Sequence, residues 1–124
     1  MRAMATPTPM PPVCLSISAH DGSGASLAAA DLKTFTALGT YGAAVITGVV
    51  ARSFTSVNML QALPDAVVRE QLESIADSLP VVAVKVGLCP SAGVIRIVGR
   101  WLRERPNLPV IVDPVMIQHP GIPN

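Results

Sequence analysis

The sequence predicts an α/β fold in which helices flank a parallel sheet. Short apolar segments alternate with segments whose apolar residues recur every three or four positions, in the order β-α-β-α-β-α-β. The longest apolar stretches, 43–51 and 81–86, are too short to cross a bilayer. Their length suits strands that are buried on both faces of a parallel sheet, and right-handed crossovers would pack the helices onto it.

The first half of the chain provides two strands and two helices. Residues 13–19 form an apolar run rich in β-branched residues, which predicts a strand. A helix is predicted over 27–38, with Gly39 placed to end it, and a second strand over 43–50. Pro64 opens a second helix, whose apolar side is formed by Val68, Leu72, Ile75 and Leu79.

The second half repeats the alternation. Residues 81–86 predict a third strand, Ser91 is placed to cap a third helix, and residues 110–112 predict a fourth strand. The helix is expected to turn three apolar residues inward, Ile95, Val98 and Leu102, and three arginines outward, Arg96, Arg100 and Arg103.

Length and composition limit the function classes. The 124 residues are enough for one domain with a real core, and a net charge of +1 without a basic run gives no reason to expect a nucleic-acid or membrane partner. Residues 1–12 contain four prolines and no apolar signal segment, so we expect a disordered leader before a domain over 13–124. Two cysteines without metal-ligand spacing are typical of a cytoplasmic protein with reduced thiols.

Asp31 is the most informative residue, because it lies on the apolar side of the first helix with Leu27, Phe35 and Leu38. A carboxylate that faces inward is costly unless it has a partner or a ligand. One interpretation is a site at the top of the first strand-loop-helix unit. The other places Asp31 at the edge of the stripe, where it reaches water.

Polar or small residues follow all four predicted strands, at the edge where α/β sheets bind ligands. They are His20 and Asp21, Arg52, residues 87–89, and Asp113. The loop around Gly22 and Gly24 is either a plain tight turn or a backbone that approaches a ligand, and it matches neither a Walker loop nor a full dinucleotide fingerprint.

Each remaining polar candidate has two interpretations. Asp113 is either a structural aspartate that bonds backbone amides or an acid near a metal or phosphate. Arg52 is either a solvated cation or the holder of an anionic group. For Lys85, which lies inside a strand, we expect the aliphatic part of the side chain to pack and its ammonium group to reach a carboxylate. Cys89 is expected to be packing rather than a nucleophile.

Several separated motifs resemble one family in the same order. They are Asp21, Ser23-Gly24, residues 30–35, 37–39, 41–43, 45–47, 83–87 and 112–116. Over about residues 13–121 the chain resembles the hydroxymethylpyrimidine/phosphomethylpyrimidine kinases of thiamine biosynthesis. The resemblance implies a ribokinase-like fold and transfer of the ATP γ-phosphate, with Mg²⁺, to a hydroxymethylpyrimidine and then to its monophosphate.

The resemblance also implies roles for individual residues. Asp31 would contact the pyrimidine, together with Gly24, Arg52, Gly87 and Leu88, and Asp113 would lie near the metal and phosphates. No catalytic residue is assigned within the 124 residues, because the family's nucleotide pocket and anion hole lie in its second half. Residues 13–124 are therefore expected to be a truncated half of the fold, inactive alone.

The chain departs from the family pattern in its loops. Ala25 and Leu27 stand where the family usually has glycines, Arg52 replaces a glutamine, and Leu88 replaces a methionine. A relative that acts on a pyridoxal-type ring therefore stays open, as does a non-catalytic module that pairs with another chain. The last strand would leave an open edge, so we also expect self-association there.

Overall fold

The computed structural model describes residues 9–115 as one five-stranded sheet with three helices. The elements in chain order are β1 (Val13–Asp21), α1 (Leu27–Ala37), β2 (Tyr41–Arg52), β3 (Val57–Ala62), α2 (Asp65–Ser78), β4 (Val81–Val86), α3 (Ala92–Arg103) and β5 (Val110–Val112). The strand order is β3-β2-β1-β4-β5. The α/β class with flanking helices is confirmed, while most of the leader predicted for 1–12 lies outside the described residues.

The sheet is mixed, because β3 runs antiparallel to β2. This strand was not predicted. Its residues alternate only weakly in hydropathy, and Asn58 and Gln61 interrupt the apolar pattern. The β2–β3 connection is fastened by Ser53, whose hydroxyl accepts hydrogen bonds from the backbone N–H groups of Thr55 and Ser56. The hairpin extends β2 to Arg52 and so fixes one end of the sheet's carboxyl edge.

The main core lies between the sheet and the helices α2 and α3. Its buried members are Val13, Leu15, Ile17, Ala43, Val45, Val68, Leu72, Val84, Val86, Val94, Val98 and Trp101. The apolar side predicted for α2 is confirmed. For α3 the prediction is wrong at Ile95, which is 58% exposed, because the helix buries the row Val94, Val98 and Trp101 instead.

The opposite face of the sheet is covered by α1, and β1 presents polar residues to it. In β1 the residues that alternate with the core residues are serines, Ser16 and Ser18, and both are fully buried. Against this face α1 buries Ala28 and Asp31. The predicted inward position of Leu38 is wrong: α1 ends at Ala37, and Leu38 is 75% exposed.

The helix ends follow the predicted local chemistry. Gly39 has a φ of +78°, in the left-handed region that lets a glycine end α1. The Ser91 hydroxyl accepts a hydrogen bond from the Val94 N–H at 3.1 Å and caps α3 as predicted. None of the helices in the described region is long and apolar enough to span a membrane.

Candidate functional site

Asp31 is buried and paired on both carboxylate oxygens. It is 8% exposed; Ser16 Oγ donates to its Oδ2 at 2.7 Å and Lys85 Nζ donates to its Oδ1 at 2.7 Å. The inward orientation predicted for Asp31 is therefore confirmed, and the alternative in which it reaches water is wrong. The expectation that the head of Lys85 reaches a carboxylate is also confirmed.

The Asp31–Lys85 pair lies next to the carboxyl edge of the sheet. Lys85 directly precedes the last residue of β4, and its Nζ also lies 3.6 Å from Asp113 Oδ2, just after β5. The Asp113 backbone N–H donates to the Val86 carbonyl at 2.8 Å, while its side chain is 70% exposed. Among the described residues, the contact shown for the Asp113 carboxylate is the one with Lys85, so both interpretations of this acid stay predictions.

Asp21 organises the loop that follows β1. Its side chain is fully buried; it accepts hydrogen bonds from the Ser23 N–H at 2.9 Å and from Ser26 Oγ at 2.7 Å. Burial by itself would raise the pKa of Asp21. The hydrogen bonds from Ser26 and Ser23, with the nearby Arg52 guanidinium, outweigh burial and hold this pKa below the ordinary value of 3.8.

Arg52 joins the end of β2 to this loop. Its Nη1 lies 3.8 Å from Asp21 Oδ2 and 3.5 Å from Ser26 Oγ, and its Nε donates to the Ser53 carbonyl at 3.2 Å. The side chain is half-buried, so the interpretation of Arg52 as a solvated loop cation is wrong. Within the described region, its Nη2 has no hydrogen-bond partner and could meet a ligand.

The loop after β4 is fixed by two buried hydroxyl groups that the sequence did not reveal. The Leu88 N–H donates to Ser18 Oγ at 3.1 Å, and Thr47 Oγ1 donates to the Leu88 carbonyl at 2.6 Å. A Cβ atom on Gly87 would lie 2.6 Å from Ser18 Oγ, so this position needs glycine. The serines alternating with apolar residues in β1 were the available signal.

The start of α1 carries backbone strain at Leu27. Its φ of +58° lies in the left-handed region, which costs a residue with a side chain about 1–2 kcal/mol. Leu27 is one of the positions where the resemblance implied a glycine. Gly24 has a φ of +74°, and its N–H donates to the Asp21 carbonyl at 3.0 Å, as a tight turn requires.

These residues lie along the carboxyl edge of the sheet. Arg52 is a half-buried cation, Gly24 belongs to a tight turn, residues 87–88 form the fixed loop, and Asp113 is an exposed carboxylate. Such an edge can bind and orient a small polar ring. No cluster of three acidic, histidine or cysteine side chains that could hold a metal occurs within residues 9–115. Cys89 packs against the core, and burial raises the pKa of its thiol, which fits the expected packing role.

Comparison with known proteins gives one consistent family. The family model described as phosphomethylpyrimidine kinase matches residues 21–123. The hydroxymethylpyrimidine/phosphomethylpyrimidine kinase of Streptomyces coelicolor is 38% identical over 120 residues, which cover 95% of this chain and 44% of that protein. A probable thiamine biosynthetic bifunctional enzyme of Oryza sativa is 36% identical over 89% of this chain and 20% of its own length.

Solved structures agree with this family. The phosphomethylpyrimidine kinase of Clostridium difficile superposes with a TM-score of 0.81 and 35% identity, over 89% of this chain and 48% of that one. A Staphylococcus aureus pyridoxal kinase solved with pyridoxal gives a TM-score of 0.76 and 31% identity, over 88% of this chain and 41% of that one. The chain thus spans less than half the length of these relatives. Because the family model covers most of its residues, the chain belongs to the phosphomethylpyrimidine kinase family.

Proposed function

We propose that this chain supplies the pyrimidine-binding part of a kinase that uses ATP to phosphorylate hydroxymethylpyrimidine and its monophosphate in thiamine biosynthesis. The observation that carries the proposal is the match to the Streptomyces coelicolor kinase, which covers 95% of this chain. The superposition on the Clostridium difficile kinase supports it, because 89% of this chain is covered at 35% identity.

Four residues at the edge are proposed as substrate contacts. Gly24 and Gly87 place backbone without a side chain at the edge, Leu88 offers an apolar side chain on a fixed loop, and Arg52 offers guanidinium N–H groups to an anionic or acceptor group. Contact between Asp31 and the ring stays a prediction. The carboxylate already accepts hydrogen bonds from Ser16 and Lys85, and its oxygens keep further lone pairs for a donor on the ring.

The nucleotide part of the proposal draws on neighbours. The titles of solved relatives name an ADP complex of Bacillus subtilis pyridoxal kinase and an AMP-PCP complex of the Staphylococcus aureus enzyme. Mg²⁺ is commonly bound by one or two carboxylates together with substrate phosphates. Asp113 offers one exposed carboxylate of this kind, and Lys85 beside it offers a cation for phosphate oxygens. By themselves the described residues do not form a complete magnesium site.

Pyridoxal is a second candidate substrate, because several solved neighbours at 30–32% identity are pyridoxal kinases. The curated relatives described above are instead named as a thiamine biosynthetic enzyme and as a hydroxymethylpyrimidine/phosphomethylpyrimidine kinase. We therefore favour the pyrimidine.

We further propose a cytoplasmic location, which the two unpaired cysteines support.

Calorimetric titration of the 124-residue chain tests the substrate proposal. We expect hydroxymethylpyrimidine or its monophosphate to bind more tightly than pyridoxal, and Arg52→Met to weaken binding of the monophosphate most, since it carries negative charge. Arg96→Met, an exposed arginine on α3, is the matched control. Tighter binding of pyridoxal would favour the second candidate, and no binding of either ring would refute the proposed site.

An assay of ATP consumption with the same chain tests where catalysis resides. We expect no turnover, because no catalytic residue is assigned within these 124 residues and the chain covers 44% of the Streptomyces coelicolor kinase. Turnover would show that the described edge also performs the transfer. Binding without turnover would support a binding part, whether it acts within a kinase or as a separate module.

A further inference from the structure

We propose that the cleft between α2 and α3 is a separate binding site, which takes a small organic anion with a carboxylate or phosphate group. The cleft measures about 280 Å³. Its lining combines an aromatic ring, two aliphatic side chains and three guanidinium groups, from Trp101, Leu72, Ile97, Arg69, Arg100 and Arg105. This site shares no residue with the carboxyl edge of the sheet, so it is independent of the proposed function.

Trp101 lines the cleft and carries a buried hydrogen-bond donor. The residue is 7% exposed and belongs to the main core. Its indole N–H is buried and has no acceptor among the residues that the structure describes. A buried tryptophan N–H usually has an acceptor, and a donor without one costs free energy. An acceptor atom supplied by a molecule in the cleft would remove this cost.

Arg105 is held in place against the same ring. Its guanidinium carbon lies 4.1 Å from the centroid of the Trp101 ring, and its Nη1 donates to the Trp101 carbonyl at 2.8 Å. Within residues 9–115, the hydrogen bonds of this side chain leave its Nε and Nη2 without an acceptor. A guanidinium that is already fixed loses little side-chain freedom when it binds a carboxylate or a phosphate.

The charges of the cleft favour an anion. Arg69 on α2 and Arg100 on α3 also line it, and neither takes part in an ion pair between described residues. Two carboxylates oppose an anion, those of Glu73 and Glu104. Glu104 Oε2 lies 3.5 Å from Arg105 Nη1, and its side chain is 64% exposed. Three guanidinium groups against two carboxylates leave one positive charge in excess.

The aliphatic part of the lining indicates which kind of anion fits. Leu72 and Ile97, one from each helix, lie beside the basic groups. An inorganic ion would contact only the guanidinium and indole groups, whereas an anion with a compact apolar body would also contact these side chains. The volume is close to the lower limit for small-molecule sites, which is about 300 Å³. The cleft therefore suits a carboxylic acid or a phosphate ester with a single ring.

Trp101 makes the test direct, because it is the one tryptophan of the chain and gives one indole N–H resonance. The 124-residue chain, isotope-labelled for NMR, is titrated at constant ionic strength with phenyl phosphate, with benzoate, and with benzyl alcohol as the neutral control. We expect at least one of the two anions to shift this resonance in a saturable way and to slow its exchange with water several-fold. The tighter of the two identifies the preferred acidic group. Benzyl alcohol should leave the resonance in place.

Variants locate the bound anion. Arg105→Met and Arg100→Met should each weaken its binding by roughly tenfold, because each removes charge-assisted hydrogen bonds. Arg96→Met, an exposed arginine of α3 that does not line the cleft, is the matched control and should bind as the unchanged chain does. The proposal is overturned if neither anion moves the indole resonance, if benzyl alcohol moves it equally, if both cleft variants bind like Arg96→Met, or if Arg52→Met, at the carboxyl edge, is the variant that loses the shift.

Discussion

Lys85 and Asp31 form a 2.7 Å ion pair that fastens α1 to the face of the sheet opposite the main core. The two residues stand 54 positions apart, one inside a strand and one inside a helix, and each lies where an apolar residue would be expected. The acid is almost fully buried and the lysine is half-buried. Their pairing satisfies a charge that would otherwise be costly in this position.

Replacement of Lys85 by methionine should lower the free energy of unfolding by about 3 kcal/mol, because it leaves the Asp31 carboxylate buried and without its cation. Urea unfolding at neutral pH measures this change. The double variant Asp31→Asn/Lys85→Met should recover part of the loss, since the neutral amide needs no counter-charge. Additive losses would contradict a coupled pair, and Arg96→Met, at an exposed site, should change stability by less than about 0.5 kcal/mol.

Substitution of Gly87 by alanine should cost about 1–3 kcal/mol in folding stability, because the new Cβ would press on Ser18. Ser18 is fully buried and its hydroxyl accepts the Leu88 N–H, so it has little freedom to move. Gly22 is the matched control, since a Cβ there would meet nothing within 4 Å. Thermal unfolding of both variants measures the difference, and equal melting temperatures would refute the steric explanation.

The sequence predicted the parallel strands and the pairing of Lys85 because both depend on residue type and periodicity. A charged side chain inside an apolar strand needs an opposite charge or water, so Lys85 was expected to reach a carboxylate. The structure shows that this carboxylate is Asp31. The roles of Ser18 and Thr47 could not be predicted, because short hydroxyl side chains are tolerated both in cores and at surfaces. Their function depends on a loop that folds over them from β4.

The error at Ile95 has a different cause. Periodicity shows that α3 has apolar residues on a wide arc, but not which part of that arc meets the core. The part that meets the core carries Val94, Val98 and Trp101. Ile95 lies outside it and lines a groove together with Val112 and Val115. Likewise β3 pairs as an edge strand although Asn58 and Gln61 dilute its apolar pattern.

Acidification should destabilise the fold partly through Asp21. Because its pKa is lower in the folded chain than in the unfolded one, Asp21 contributes stability that is fully present above the unfolded value of 3.8 and is lost as pH falls through the folded pKa. Urea unfolding between pH 3 and pH 6 should therefore show a decline at the acid end that is shallower in Asp21→Asn. Ser26→Ala should also make this decline shallower, because it removes one of the hydrogen bonds that lower the pKa of Asp21. An unchanged slope in both variants would contradict this role.

Leu27 offers a test in which the usual order of helix propensity reverses. At an ordinary helix position, glycine is about 1 kcal/mol less stable than alanine. Leu27 has a φ of +58°, which glycine adopts at little cost and alanine does not, so Leu27→Gly should be more stable than Leu27→Ala by about 1 kcal/mol. Both variants lose the same half-buried side chain, so their difference isolates the backbone. At Ala29, two residues into α1, replacement by glycine should lower stability in the ordinary way. Urea unfolding compares all three variants, and an alanine variant as stable as the glycine variant at position 27 would show that the backbone there carries no strain.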